Sequence, residues 1–175
     1  TTNTLVALGL TVPRLAPASR VGRFLRDPRV SWTTAGAIVV VGLAYHFLLS
    51  RINHPVGIGK WTDTGLHYLV PPLYAVYWVL YADITEVRWS RMLWSLTVYP
   101  TLYFAYLLVR GEVVHVYPYF FIDVSTIGYA VAMRNAVGLL GIHLILSSVL
   151  LVLARLVRPK TAPAPDAPAS VRIAA

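Results

Sequence analysis

The sequence predicts an all-α fold, a polytopic transmembrane helical bundle, and three observations predict it. First, residues 31–50, 65–82, 93–109 and 135–157 form four apolar stretches, each near the ~20 residues that cross hydrocarbon as a helix. None shows the polar face of an amphipathic soluble helix. Second, 57% of residues are hydrophobic and only 13% are charged, about half the charged share of an ordinary soluble domain. Third, the charge sits in the connections, and it alternates.

The elements follow in order. Residues 1–12 are about half a span, with no basic stretch before them and no small-residue cleavage site, so a signal peptide is a poor reading. The expectation is a partial N-terminal span, left from a six-helix bundle whose upstream segment is missing. Residues 13–30 carry Arg14, Arg20, Arg23, Arg26 and Arg29. After the first full span, residues 51–64 form a short connection with Arg51 and Lys60. After the second come Arg88 and Arg91, and after the third a long connection, residues 110–134, between Arg110 and Arg134. The bundle therefore spans residues 1–158. The remainder, residues 159–175, is rich in Pro and Ala, lacks apolar periodicity and reads as a disordered tail.

Eleven of the 15 Lys and Arg residues fall on the side of residues 13–30, 83–91 and the C-terminus. By the positive-inside rule that side is cytoplasmic. The net charge of +8 follows this topology and forms no basic face for nucleic acid. Cysteine is absent, so disulfides and thiolate metal sites are excluded. No repeat, phosphate loop or HExxH spacing is present.

Chemistry is expected on the opposite, outer side, where His46, His67 and His143 fall in the outer third to half of the bilayer. An ionisable residue at that depth is a functional candidate; a bundle-facing histidine bonded to a carbonyl is the plain alternative. His67 stands out. Pro71 and Pro72 lack the N–H groups that the carbonyls of His67 and Tyr68 need, which leaves a distorted helix beside the ring. Asp63 lies four residues earlier, on the same face of a helix that begins there, where a carboxylate fixes an imidazole tautomer; helix capping is its other reading. The connection holding His115 and Tyr117-Pro118-Tyr119-Phe120-Phe121-Ile122-Asp123 reads either as an interfacial aromatic belt or as a lid. Asp123 is also placed to cap a helix running into the last span.

Thr1-Thr2-Asn3-Thr4-Leu5-Val6, Gly42-Leu43-Ala44-Tyr45-His46, Leu66-His67-Tyr68-Leu69-Val70-Pro71 and Tyr117 to Asp123, in this order, resemble the bacterial branch of the androgen-induced-protein family. These are small multi-helix integral membrane proteins, and the resemblance covers residues 1–157. Animal members are membrane threonine hydrolases that cleave branched fatty-acid esters of hydroxy fatty acids with an intramembrane Thr and His. The resemblance implies that His67 is the base. It implies that the nucleophile is Thr1, Thr2 or a residue just upstream, that Asp63 holds the ring, and that Tyr117, Tyr119 and Asp123 shield the site. It implies no cofactor or metal, a lipid ester as partner, and the bacterial plasma membrane as location. The alternatives are a haem- or metal-binding electron-transfer subunit, three histidines lying at similar depth, and a membrane protein without chemistry.

Overall fold

The computed structural model describes residues 2–85 and 87–158, without the side chains of residues 90 and 91. Thr1 and the tail at residues 159–175 lie outside the described residues. Within the described residues seven helices follow one another: α1 (Thr2–Leu15), α2 (Arg20–Arg26), α3 (Pro28–Ala44), α4 (Ile58–Thr64), α5 (Val70–Tyr81), α6 (Trp89–Val114) and α7 (Val124–Val157). Among the described residues there is no strand.

Local chemistry sets several of the boundaries. The Ser19 hydroxyl accepts from Gly22 N–H at 2.9 Å and starts α2. Asp27 accepts from Arg29 N–H at 2.8 Å and starts α3, with Pro28 in the first position, where its missing N–H costs nothing. Asp123 does the same for α7 through Ser125 N–H at 3.1 Å, so the last helix begins well before residue 135. That helix is interrupted at Gly128, whose φ of 74° breaks the helical path.

Two π-turns widen the helices. One, Tyr45–Leu49, continues α3; the other, Gly65–Leu69, joins α4 to α5 into one run over residues 58–81. The second has a cause in the sequence. Pro71 and Pro72 deny partners to the carbonyls of His67 and Tyr68, and Val70 N–H reaches back to the Gly65 carbonyl instead.

α3 is the central helix and packs against α1, α5, α6 and α7. It can do so because Thr33, Thr34, Ala35, Gly36 and Ala37 present small side chains, all buried, which lets neighbouring backbones approach as they do in membrane bundles. At Gly36 an added Cβ would stand 1.9 Å from Ser147 Oγ, and at Gly42 it would stand 2.9 Å from Pro71 Cβ. These two contacts seat α3 against α7 and α5. Trp32 and Trp78 are fully buried beside them. The indole N–H of Trp32 donates to the Ser147 carbonyl at 2.8 Å, and that of Trp78 to Ser31 Oγ at 3.3 Å.

Polarity runs inside out. Ile142, Ile145, Val149, Val152 and Leu156 of α7 are exposed, while the buried face of the same helix carries His143 and Ser147. Water would penalise such a surface; hydrocarbon does not. Among the described residues three helices are long and apolar enough to cross a membrane: Pro28–Leu49, Met92–Val114 and Val124–Val157. The second of the four expected spans, residues 65–82, is helical up to Tyr81 but does not join them, because it carries His67, two prolines and several tyrosines.

The cationic connections gather at one end. Arg14 donates to Tyr77 Oη at 3.1 Å, Arg26 to the Pro13 carbonyl at 2.9 Å, Arg155 to the Val87 carbonyl at 2.9 Å and Arg158 to the Ala82 carbonyl at 2.5 Å. Residues 13–30, the turn after α5 and the end of α7 are thereby tied together.

Candidate functional site

The other end of the bundle encloses a cavity of about 190 Å³. The start of α1 contributes Thr2, the end of α3 Ala37 to Ala44, its π-turn Tyr45 and Leu49, the second π-turn His67, and α6 Tyr99 and Tyr103. The connection after α6 adds Tyr119, Phe121 and Ile122, and α7 adds Leu139, Leu140 and His143. Its wall is mostly aliphatic and aromatic, and sites that enclose drug-sized ligands run to ~300–1,000 Å³. A slender chain fits this space better than a broad ring system.

His67 is held in a defined state. Its Nδ1 lies 3.1 Å from Asp63 Oδ1 and 3.1 Å from the Asp63 carbonyl oxygen. Both neighbours only accept, so Nδ1 carries a proton, and in the neutral ring Nε2 is the nitrogen with the lone pair. Among the described residues nothing bonds Nε2, and the ring lines the cavity. The Asp63 side chain is 14% exposed and that of His67 is 25% exposed, so the pair is sheltered without being sealed. This is the i,i+4 geometry that the spacing of the two residues predicts.

Tyr45 completes the clamp. Its ring stacks on the imidazole with centroids 3.9 Å apart and planes 9° apart, while its hydroxyl donates to Asp63 Oδ2 at 2.6 Å. Asn53 donates to the same hydroxyl at 3.2 Å. Stack and hydrogen bond together leave the imidazole little freedom to turn. The stack exists because Gly42, one turn earlier on α3, lets that helix settle against Pro71 and the His67 carbonyl.

Thr2 is buried and lines the same cavity. Its hydroxyl pairs with Tyr99 Oη at 2.9 Å, and no hydrogen bond joins it to His67. Tyr99, Tyr103 and Tyr106 stack in succession along α6. Tyr119, from the connection, is pushed above the usual phenol range, first by burial and then by its hydrogen bond to Tyr103. It stays neutral and caps the tyrosine row.

The other predicted shielding residues do different work. Tyr117 does not line the cavity: its ring covers Gly111, where a Cβ would stand 2.0 Å from it, and its hydroxyl donates to Glu112 at 2.9 Å. Asp123 caps α7 instead. Its carboxyl is held below the usual range, chiefly by the Ser125 hydroxyl. His46 is exposed and does not line the cavity; its Nδ1 lies 3.5 Å from Tyr68 Oη.

His143 is 2% exposed and lines the cavity's inner end. Neither of its ring nitrogens makes a hydrogen bond of ordinary geometry, and the buried hydroxyl of Ser147 also lacks a partner. The carbonyls of Gly36 and Leu96 are the backbone acceptors beside the ring. Among the described residues no three of His, Asp and Glu come together as a metal site.

No family model, curated protein or solved structure matches the chain.

Proposed function

We propose that the chain is a membrane-embedded hydrolase of lipid esters, related to the androgen-induced-protein family that its motifs resemble. Thr2, the first residue of α1, or Thr1 before it in the sequence is the nucleophile and His67 the general base. In this reading four helices cross the bacterial plasma membrane, residues 58–81 among them, with the arginine-rich end and the C-terminus cytoplasmic and the cavity on the outer side. The observation that carries it is a buried threonine and an Asp63-oriented imidazole lining one apolar cavity.

In the first step the threonine oxygen bonds to the ester carbonyl carbon and its proton passes to His67 Nε2. The carbon–oxygen bond to the leaving group breaks, and the alcohol departs with that proton. Water attacks the acyl-threonine, gives its proton to the same nitrogen, and releases the fatty acid as the threonine is restored. Asp63 and Tyr45 hold the imidazole in the tautomer that both steps need. Tyr99 holds the Thr2 side chain at the cavity wall.

The test is hydrolysis of medium-chain lipid esters by protein purified in detergent. His67→Ala should lower the rate by ~10²–10⁴-fold with little change in thermal stability, since the ring is partly exposed. Full activity in this variant would end the catalytic reading of His67.

A further inference from the structure

We propose that the outer surface of α2, with Arg20, Arg23, Val21 and Phe24, is a docking surface for one anionic phospholipid of the leaflet it borders. The arginines take the phosphate and the apolar pair takes the glycerol and upper acyl chain. This goes beyond the hydrolase reading and stands without it, since it needs only a bundle that crosses a membrane.

The chain fixes the depth of α2. A helix long and apolar enough to cross the membrane starts at Pro28, and only Asp27 separates it from the end of α2 at Arg26. α2 therefore lies about one helical turn from the hydrocarbon edge, at the level of the lipid phosphates. It is also held close to the bundle. Gly22 and Leu25 are its buried side, and a Cβ on Gly22 would stand 2.2 Å from the Ala16 carbonyl oxygen.

The rest of the helix surface divides in two. At ~3.6 residues per turn, Arg20, Arg23 and Arg26 fall on one flank of the Gly22–Leu25 side, and Val21 and Phe24, 56% and 62% exposed, fall on the other. A basic flank beside an aromatic and aliphatic one is the pattern of a helix that sits in the headgroup layer. The protein does not neutralise the arginines. Among the described residues none of them forms an ion pair. Arg23 and Arg26 each use one nitrogen, on the carbonyls of Ala18 and Pro13, and the neighbouring carboxylate of Asp27 accepts from the Arg29 N–H to start α3. A guanidinium has five N–H donors, so most of them remain for an oxyanion. The uncompensated charge selects a net anionic headgroup, because a zwitterionic one brings a cation that these arginines repel. A soluble phosphate would leave Val21 and Phe24 facing water, and a lipid covers them.

Lipid retention by the full chain tests this. The protein, purified in a neutral detergent and offered equal amounts of phosphatidylglycerol and phosphatidylcholine, is read by native mass spectrometry. Phosphatidylglycerol should be retained about tenfold or more over phosphatidylcholine, each arginine at an anionic headgroup contributing ~fivefold. Arg20→Gln combined with Arg23→Gln should remove most of that preference, whereas Arg20→Lys with Arg23→Lys should keep most of it. Arg51→Gln with Lys60→Gln, the same loss of charge at the other end of the bundle, should leave it unchanged. All four side chains are exposed, so the variants should melt with the native protein. Soluble glycerol phosphate should not displace the bound lipid. Equal retention of the two lipids, or a preference that survives in Arg20→Gln/Arg23→Gln, would overturn the site. So would an equal loss in Arg51→Gln/Lys60→Gln, which would reduce the effect to net charge, or displacement by glycerol phosphate, which would leave a soluble anion as the ligand.

Discussion

The two ends of this bundle solve opposite problems. At the arginine-rich end, side chains close space: Trp32 and Trp78 are fully buried, and arginines satisfy the carbonyls of Ala82 and Val87. At the other end, two π-turns widen the helices beside the cavity, and polar groups line it without all being paired. A protein that needed only to persist in the bilayer would pack both ends like the first. On the hydrolase reading proposed above, packing is given up at this end because a substrate needs room there.

The sharpest way to break the comparison is to ask which side each end faces. The chain lacks cysteine, so single cysteines at Val56 and Ala18, both exposed, are clean probes. In intact cells an impermeant maleimide should label position 56 and leave position 18 unlabelled. The reverse pattern would place the cavity on the cytoplasmic side and contradict the charge-bias topology.

Substitutions at the two ends should then separate stability from activity. Trp78→Ala removes a fully buried ring at the closed end and should cost about 3–5 kcal/mol of stability, with activity per folded molecule retained. Tyr45→Phe keeps the stack on His67 but removes the hydroxyl that donates to Asp63. It should leave the melting temperature nearly unchanged and slow ester hydrolysis about tenfold, the size of one hydrogen bond to a carboxylate. If Trp78→Ala altered the rate and Tyr45→Phe did not, the division of labour between the ends would be wrong.

Smallest is the effect of Asp123, which serves the helix start and not the cavity. Its carboxyl is depressed in the folded state by Ser125 and Thr126. Its contribution is therefore present above the ordinary carboxylate pKa of ~3.9 and lost as pH falls through the lower folded value. Asp123→Ala should lower the melting temperature by about a few degrees at most at neutral pH. The variant and native curves should converge in acid, and a loss of hydrolysis exceeding the loss of folded protein would return Asp123 to the site.

Much of the fold is legible in the sequence because apolar length and loop charge are local properties. The helix ends are less so. The helix of residue 67 begins at Ile58, through Lys60, Thr62 and Asp63, which composition alone reads as connection. The capped start of α7 at Asp123 is a short-range signal and can be read. Within the site, Asp63 and His67 are legible because i,i+4 spacing puts them on one face. Tyr45 over the imidazole, Tyr99 beside Thr2 and Ser147 against Gly36 are not, because each partner arrives from another helix. The signal for such contacts lies in Gly36 and Gly42, small residues in an otherwise bulky helix, whose meaning depends on what faces them. Tyr117 falls outside the cavity for the same reason: aromatic composition marks the connection, but Gly111 decides where the ring goes.

The most direct test of the central claim is to locate the nucleophile. A fluorophosphonate probe forms a phosphorus–oxygen bond to an activated hydroxyl and expels fluoride. Peptide mapping of the labelled protein should place the adduct on the threonine pair at the start of α1, and His67→Ala should abolish it. An adduct on Ser147, on a tyrosine of the α6 row, or on the α1 threonines undiminished in His67→Ala would contradict the account.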